Sequence, residues 1–119
     1  MAKLLVKEKT IEKQILHYFR SRGIFCWKAE TQGTWNAKRG RYLKDPTKMK
    51  GVSDILGFIP LAWDQVYQPR HRFFAIEVKS KTGRLTPEQK KFQDQIKEFG
   101  HIAFVARSIE DVERELGLS

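Results

Sequence analysis

Three ionisable residues sit where a folded chain normally places apolar ones. Glu77 and Lys79 interrupt Phe73-Phe74-Ala75-Ile76-Glu77-Val78-Lys79, the strongest strand pattern in the sequence. Asp54 lies inside a second apolar run, Val52-Ser53-Asp54-Ile55-Leu56-Gly57-Phe58-Ile59. Side chains alternate along a strand, so Glu77 and Lys79 share one face while Ile76 and Val78 take the other. Burying an unpaired charge is costly, so each of these groups needs an opposite charge, a metal or water. If the two strands are neighbours, Asp54 and Glu77 bring two carboxylates within reach of one divalent cation. Hard oxygen ligands suit Mg²⁺ or Mn²⁺, which keep several waters and take phosphate oxygens as remaining partners. Such an ion polarises a phosphodiester and lowers the pKa of a bound water. Lys79 could orient or help deprotonate that water, or offset charge developing on phosphorus. The plainer alternatives are an edge strand with a same-face ion pair, and a turn aspartate bonded to nearby backbone amides.

The charge distribution points to a phosphate-bearing partner. The chain has 119 residues, 23 Lys+Arg, 14 Asp+Glu and a formal charge of +9. Residues 1–50 hold 13 Lys+Arg and 4 Asp+Glu, whereas residues 51–119 hold 10 of each, so the whole excess lies in the first part. Lys38, Arg39, Arg41, Lys44, Lys48 and Lys50 cluster there, with Trp35 and Tyr42 among them. A one-sided basic surface attracts a polyanion through its field and through counterion release. These six cations are the candidate nucleic-acid-binding residues; a solvated loop is the bland reading.

The elements that must position these groups follow from periodicity and caps. Ile11, Ile15, Tyr18 and Phe19 form a helical stripe, with Thr10 as its expected N-cap and Gly23 as its stop. Ile24 to Trp27 reads as a short buried strand. Residues 31–51 lack a period and hold Gly33, Gly40 and Pro46, predicting a long loop or irregular hairpin. The Val52–Ile59 strand is expected to end at Pro60, and a connection through Trp63 and Tyr67 leads to the Phe73–Lys79 strand. Thr82-Gly83-Arg84 reads as a turn. Thr86, Pro87 and Gln89 make a capping box with proline at N1, opening a helix with Phe92, Ile96 and Phe99 as its stripe and Gly100 as its end. Ile102–Ala106 is a further strand, and Ser108 caps a last helix carrying Ile109, Val112 and Leu116, with Gly117 behind it. The predicted order is α-β-β-β-α-β-α in one domain spanning residues 1–119.

Other sites are less promising. His17, His71 and His101 have no ligand spacing, and His17 is expected to pack near the first helix stripe. Cys26 is the only cysteine, which excludes an internal disulfide or a multi-cysteine zinc site. It is expected to be an inert buried thiol. There is no P-loop. No stretch approaches the ~20 apolar residues of a membrane span, and the lysine-broken N-terminus lacks a signal peptide's apolar run. The expectation is a small, basic, cytoplasmic domain.

Gly51-Val52-Ser53-Asp54, then Ile76-Glu77-Val78-Lys79, then Gly83-Arg84-Leu85-Thr86-Pro87-Glu88-Gln89 resemble the VRR-NUC (virus-type replication-repair nuclease) family. This family is a branch of the PD-(D/E)xK restriction-endonuclease-like superfamily. The resemblance runs from Glu12 to Val112. It implies an α/β fold with a restriction-endonuclease-like core, a mixed β-sheet flanked by helices. It also implies Mg²⁺- or Mn²⁺-dependent cleavage of DNA. Asp54 and Glu77 match the metal-binding carboxylates, Lys79 the catalytic lysine, Gln89 a motif glutamine and Glu12 the first-helix glutamate. Gln89 is already explained as a cap, and Glu12 as an exposed helix acid or dipole partner. Ser53 departs from the superfamily proline, which bears on local geometry more than on chemistry. Small stand-alone members resemble Holliday-junction resolvases, which implies a homodimer acting on branched or four-way-junction DNA. Trp63 and Tyr67 are candidates for the dimer surface or for the core. The alternative is a non-catalytic nucleic-acid-binding module that retains the nuclease fold. Against it, carboxylates facing a polyanion weaken binding unless a cation intervenes.

Overall fold

The structure, a computed structural model, describes residues 7–29, 34–43, 49–60 and 71–118. Helix α1 (Glu8–Ser21) leads into β1 (Cys26–Lys28), β2 (Thr34–Asn36), β3 (Arg41–Leu43), β4 (Ile55–Pro60) and β5 (His71–Val78). Then come α2 (Pro87–Glu98), β6 (Ile102–Ala106) and α3 (Ile109–Leu116). The main sheet has the order β1-β4-β5-β6. Its β1–β4 and β4–β5 pairs are antiparallel, while β5–β6 is parallel. A parallel pair needs a crossover, and α2 supplies it. With its helices this mixed sheet reads α-β-β-β-α-β-α, the restriction-endonuclease-like order expected. The β2–β3 hairpin is a separate two-stranded sheet inserted between β1 and β4. It realises the irregular hairpin expected between residues 31 and 51. Lys44, Lys48, Trp63 and Tyr67 lie outside the described residues.

One face of the sheet packs on α1 and α3. Ile11, Ile15 and Phe19 of α1 meet Phe74, Ile76 and Val78 of β5, Phe104 and Ala106 of β6, and Val112 of α3. Phe19 and Phe74 bring their ring centroids to 5.1 Å. Each such side chain contributes about 1.5–3 kcal/mol by leaving water. Tyr18 closes the seam between helices, donating its hydroxyl to Glu113 Oε2 at 3.2 Å. No described residue of α2 joins this cluster, yet α2 touches β5 and β6, so it covers the other face.

Several local expectations hold. Thr86 and Gln89 form both halves of the capping box, with Pro87 at the first position. Gly23, Gly100 and Gly117 follow their helices with left-handed backbone, and Ser108 accepts from Asp111 N–H. Others are corrected. Thr10 lies inside α1, whose N-cap is Lys7 without a side-chain bond; Glu8 in the first turn favours the earlier start by facing the positive end of the dipole. Ile24–Trp27 is not a buried strand, because β1 is an edge strand covered on one side. Ile24 and Cys26 turn to the core, while Phe25 and Trp27 are exposed. Burial raises the pKa of the half-buried Cys26 thiol. His17 is exposed rather than packed. Phe99 is the C-cap of α2 and exposed, so it leaves the stripe. Gln93 is buried instead, donating Nε2 to Phe104 O at 2.8 Å. A buried carbonyl on the edge strand β6 needs such a donor.

Candidate active site

The β4–β5 register ends at Ile55 opposite Ile76. Carried one step further, it brings Asp54, just before β4, to Glu77, whose carboxyl feels its charge and hydrogen bonding; strand alternation turns Glu77 to the face away from the core cluster. The two runs that look anomalous in sequence therefore meet. Asp54 sits just before β4 and is anchored twice: Val78 N–H donates to Asp54 Oδ2 at 2.7 Å, and Ala29 N–H donates to Asp54 O at 2.8 Å. The backbone-bonded turn aspartate, the plainer alternative, is thus realised as well. One carboxylate oxygen positions the residue while the group still faces Glu77.

Glu77 is 2% exposed and Lys79 8%. Lys79 Nζ stands 3.7 Å from Glu77 Oε1, and Glu77 Oε2 is buried with no hydrogen-bond partner among the described residues. Burial first, then the charge and hydrogen bonding of Asp54, push the Glu77 carboxyl up to about 8; Lys79 opposes the shift. Two acids crowded in a dry setting resist ionising together. A cation between them would relieve that resistance and take up the orphan oxygen.

Helix α1 contributes two more acids. Glu12 is turned inward, not out to solvent, and its Oε1 faces Lys28 Nζ at 3.5 Å. Burial raises its pKa; Lys28 counteracts this and Asp54 adds to it. Glu8, one turn earlier on the same helix face, is a residue that sequence reasoning misses. Its Oε1 accepts from Ser80 N–H at 3.4 Å, and its charge reaches Glu77. The four-residue spacing of Glu8 and Glu12 is the available signal.

The segment after Lys79 is held by Arg107, the residue that follows β6. Arg107 donates through Nη1 to Ser80 O, to Gly83 O at 2.7 Å and to Lys81 O at 3.4 Å. No local sequence pattern marks this role. Gly51 fixes the other approach. With φ +76°, it lies so close to α2 that a Cβ there would come within 2.2 Å of Glu88 O. Ser53, which replaces the superfamily proline, is fully buried, and its Oγ has no hydrogen-bond partner among the described residues.

Gln89 is placed by its cap: its Oε1 accepts from Thr86 N–H at 2.9 Å. Lys38 and Arg39 occupy the β2–β3 turn, Arg41 begins β3, and Lys50 precedes Gly51; all four are exposed. Among the described residues, no three His, Cys, Asp or Glu side chains form a ready metal cluster. The donor set still fits a hard cation, because Mg²⁺ takes one or two carboxylates and fills its shell with water and phosphate.

A model of the VRR-NUC domain matches residues 7–110. The chain belongs to the VRR-NUC family. No curated protein and no solved structure matches it. The VRR-NUC match begins at the N-cap of α1 and ends in the first turn of α3, so it contains every acid, lysine and arginine of the centre just described. A VRR-NUC domain is a nuclease-type domain, and DNA is the partner such a domain suggests. Among the described residues, no helix is long and apolar enough to cross a membrane.

Proposed function

We propose that this VRR-NUC domain is a Mg²⁺- or Mn²⁺-dependent DNA endonuclease that selects branched DNA, four-way junctions foremost, and works as a homodimer. The observation that carries the reading is the half-buried Asp54 set against the buried Glu77, with the orphan oxygen of Glu77 and the adjoining Lys79. Asp54 and Glu77 would hold the ion directly, with Glu12 acting on its waters. When bound, the ion supplies Lewis-acid polarisation of the phosphate and activation of water.

The chain's own groups divide the remaining work. Lys79 brings a positive N–H donor beside the carboxylates, suited to orienting the attacking water or holding a phosphate oxygen as charge builds. Its ammonium is held by burial and by Glu77, so it need not reorganise during reaction. Lys28 keeps Glu12 from adding an uncompensated charge to the centre. Arg107 and Glu8 brace the backbone on either side of Ser80, which follows Lys79 directly. The exposed cations of the β2–β3 hairpin and Lys50 would bind substrate backbone. Two symmetric cuts on a junction need two centres, and a two-fold dimer is the simplest source.

The test incubates pure protein with fluorescent four-way junction, flap, duplex and single-stranded DNA, each with Mg²⁺, Mn²⁺ or EDTA. Cutting that requires the ion and is strongest on the junction is expected. Equal cutting of all four would remove the junction preference and keep the nuclease. Binding without cutting under every condition would leave the non-catalytic module instead. Sedimentation at the assay concentration checks the dimer.

A further inference from the structure

The sheet face that carries Glu77 also carries a row of rings. Moving along β4 and β5 from the acids, the next same-face pair is Leu56 with Ala75, and the one after is Phe58 with Phe73. The row extends sideways in both directions. Phe58 N–H donates to Phe25 O at 3.0 Å, and their rings lie 6.4 Å apart and 26° from parallel. Trp27, two residues along β1, touches Phe25 at 5.5 Å and Phe58 at 6.2 Å between centroids. On the far side, Phe73 meets His101 edge to face at 6.1 Å. Three of these rings face water: Phe25 is 68% exposed, Phe58 40% and Trp27 38%. Helix α2 covers β5 and β6 but leaves these rings open, and clustered exposed aromatics mark an interaction surface.

Two kinds of occupant fit rings, and area and position choose between them. At about 150–250 Å² for a whole aromatic side chain, the three open rings expose on the order of 300 Å². A stable subunit interface takes roughly 800 Å² from each partner. Phe58 is four residues along the chain from Asp54, which immediately precedes β4, a separation of ~13 Å at the strand rise. The chain's charge of +9 favours a polyanion. Aromatic side chains beside a basic surface stack on nucleic-acid bases with little sequence preference, and only unpaired bases present their faces. We infer that Phe25, Trp27 and Phe58 form a stacking platform for unpaired bases of a DNA strand leading to the Asp54–Glu77–Lys79 centre. The direction of that strand rests on the nuclease reading; the stacking itself does not. A platform of this kind selects DNA opened at a branch, flap or end, because a closed duplex hides its base faces.

The test is done in EDTA, so no cutting is involved. Fluorescence anisotropy reports the affinity of a short labelled oligothymidine and of a blunt duplex for the wild type, Phe58→Ala, Trp27→Ala and Trp27→Phe. Each alanine variant should bind the single strand about tenfold more weakly. Duplex binding should stay within about twofold, and Trp27→Phe should bind like the wild type. Equal losses on both DNAs, or no loss on the single strand, would overturn the platform. So would a wild type that sediments as a dimer while Phe58→Ala sediments as a monomer, since the rings would then cover a second copy. A protein that cuts DNA yet shows no ring dependence refutes the platform alone. One that shows ring dependence without metal-dependent cutting refutes the nuclease reading alone.

Discussion

Removing the charge of Glu77 should make the metal-free protein more stable, contrary to the usual effect of mutating a buried residue. Glu77→Gln keeps the shape and a polar end while abolishing ionisation. In the fold the carboxyl titrates near 8, against an ordinary value of 4.5. A folded value raised in this way favours the folded state fully below about pH 4.5, and the benefit is lost as pH rises through about 8. At pH 7 the unfolded chain carries Glu77 ionised, so folding must take up a proton. The gap from 4.5 to 7, at about 1.4 kcal/mol per unit, makes that uptake worth about 3 kcal/mol. Losing the Lys79–Glu77 attraction costs little at this pH, because Glu77 is already largely protonated in the metal-free fold. Urea denaturation in EDTA should therefore show Glu77→Gln ahead of the wild type by about 3 kcal/mol at pH 7 and level with it near pH 4. Saturating Mn²⁺ should raise the wild type and leave the variant unmoved. A variant no more stable than the wild type at pH 7, or an advantage unchanged between pH 4 and 7, would refute the reasoning.

Three further outcomes are expected. Arg107→Ala removes a charged donor from three carbonyls of the segment after Lys79; thermal denaturation should show a loss of about 1–3 kcal/mol, and cleavage should slow with DNA affinity unchanged. Gly51→Ala places a Cβ against the Glu88 carbonyl at a left-handed backbone position. It should cost about 2 kcal/mol or more in urea denaturation, and a silent substitution would show that this approach is loose. Neutralising Lys38, Arg39 and Arg41 should flatten the salt dependence of duplex binding by about 0.9 in slope for each phosphate that is no longer neutralised, and an unchanged slope would exclude the hairpin from the backbone.

The centre was legible because its residues break a rule: Asp54, Glu77 and Lys79 are charges inside apolar runs, and only a shared site makes that tolerable. Their meeting followed from strand alternation once β4 and β5 were neighbours. Gln89 and Ser108 were equally readable, since caps are local chemistry. What escaped was set by tertiary cover. Ile24, Phe25, Cys26 and Trp27 are all apolar, so nothing in the run reveals that β1 is an edge with one bare face. Phe99 fits the stripe of Phe92 and Ile96 in spacing, but the helix ends at Glu98. Glu8 lay ahead of the helix start expected at Thr10, and Glu12 read as an exposed acid, until α1 began a turn earlier and docked with Glu12 turned inward. Arg107 acts entirely on a segment some two dozen residues earlier in the chain, so no window of sequence contains its role.

The most direct measurement is single-turnover cleavage of a four-way junction in Mg²⁺, with wild type and Glu77→Gln compared at equal DNA occupancy. The variant should fold and bind the junction yet cut about a hundredfold more slowly or worse. A variant that binds and cuts like the wild type would place the chemistry elsewhere in the molecule.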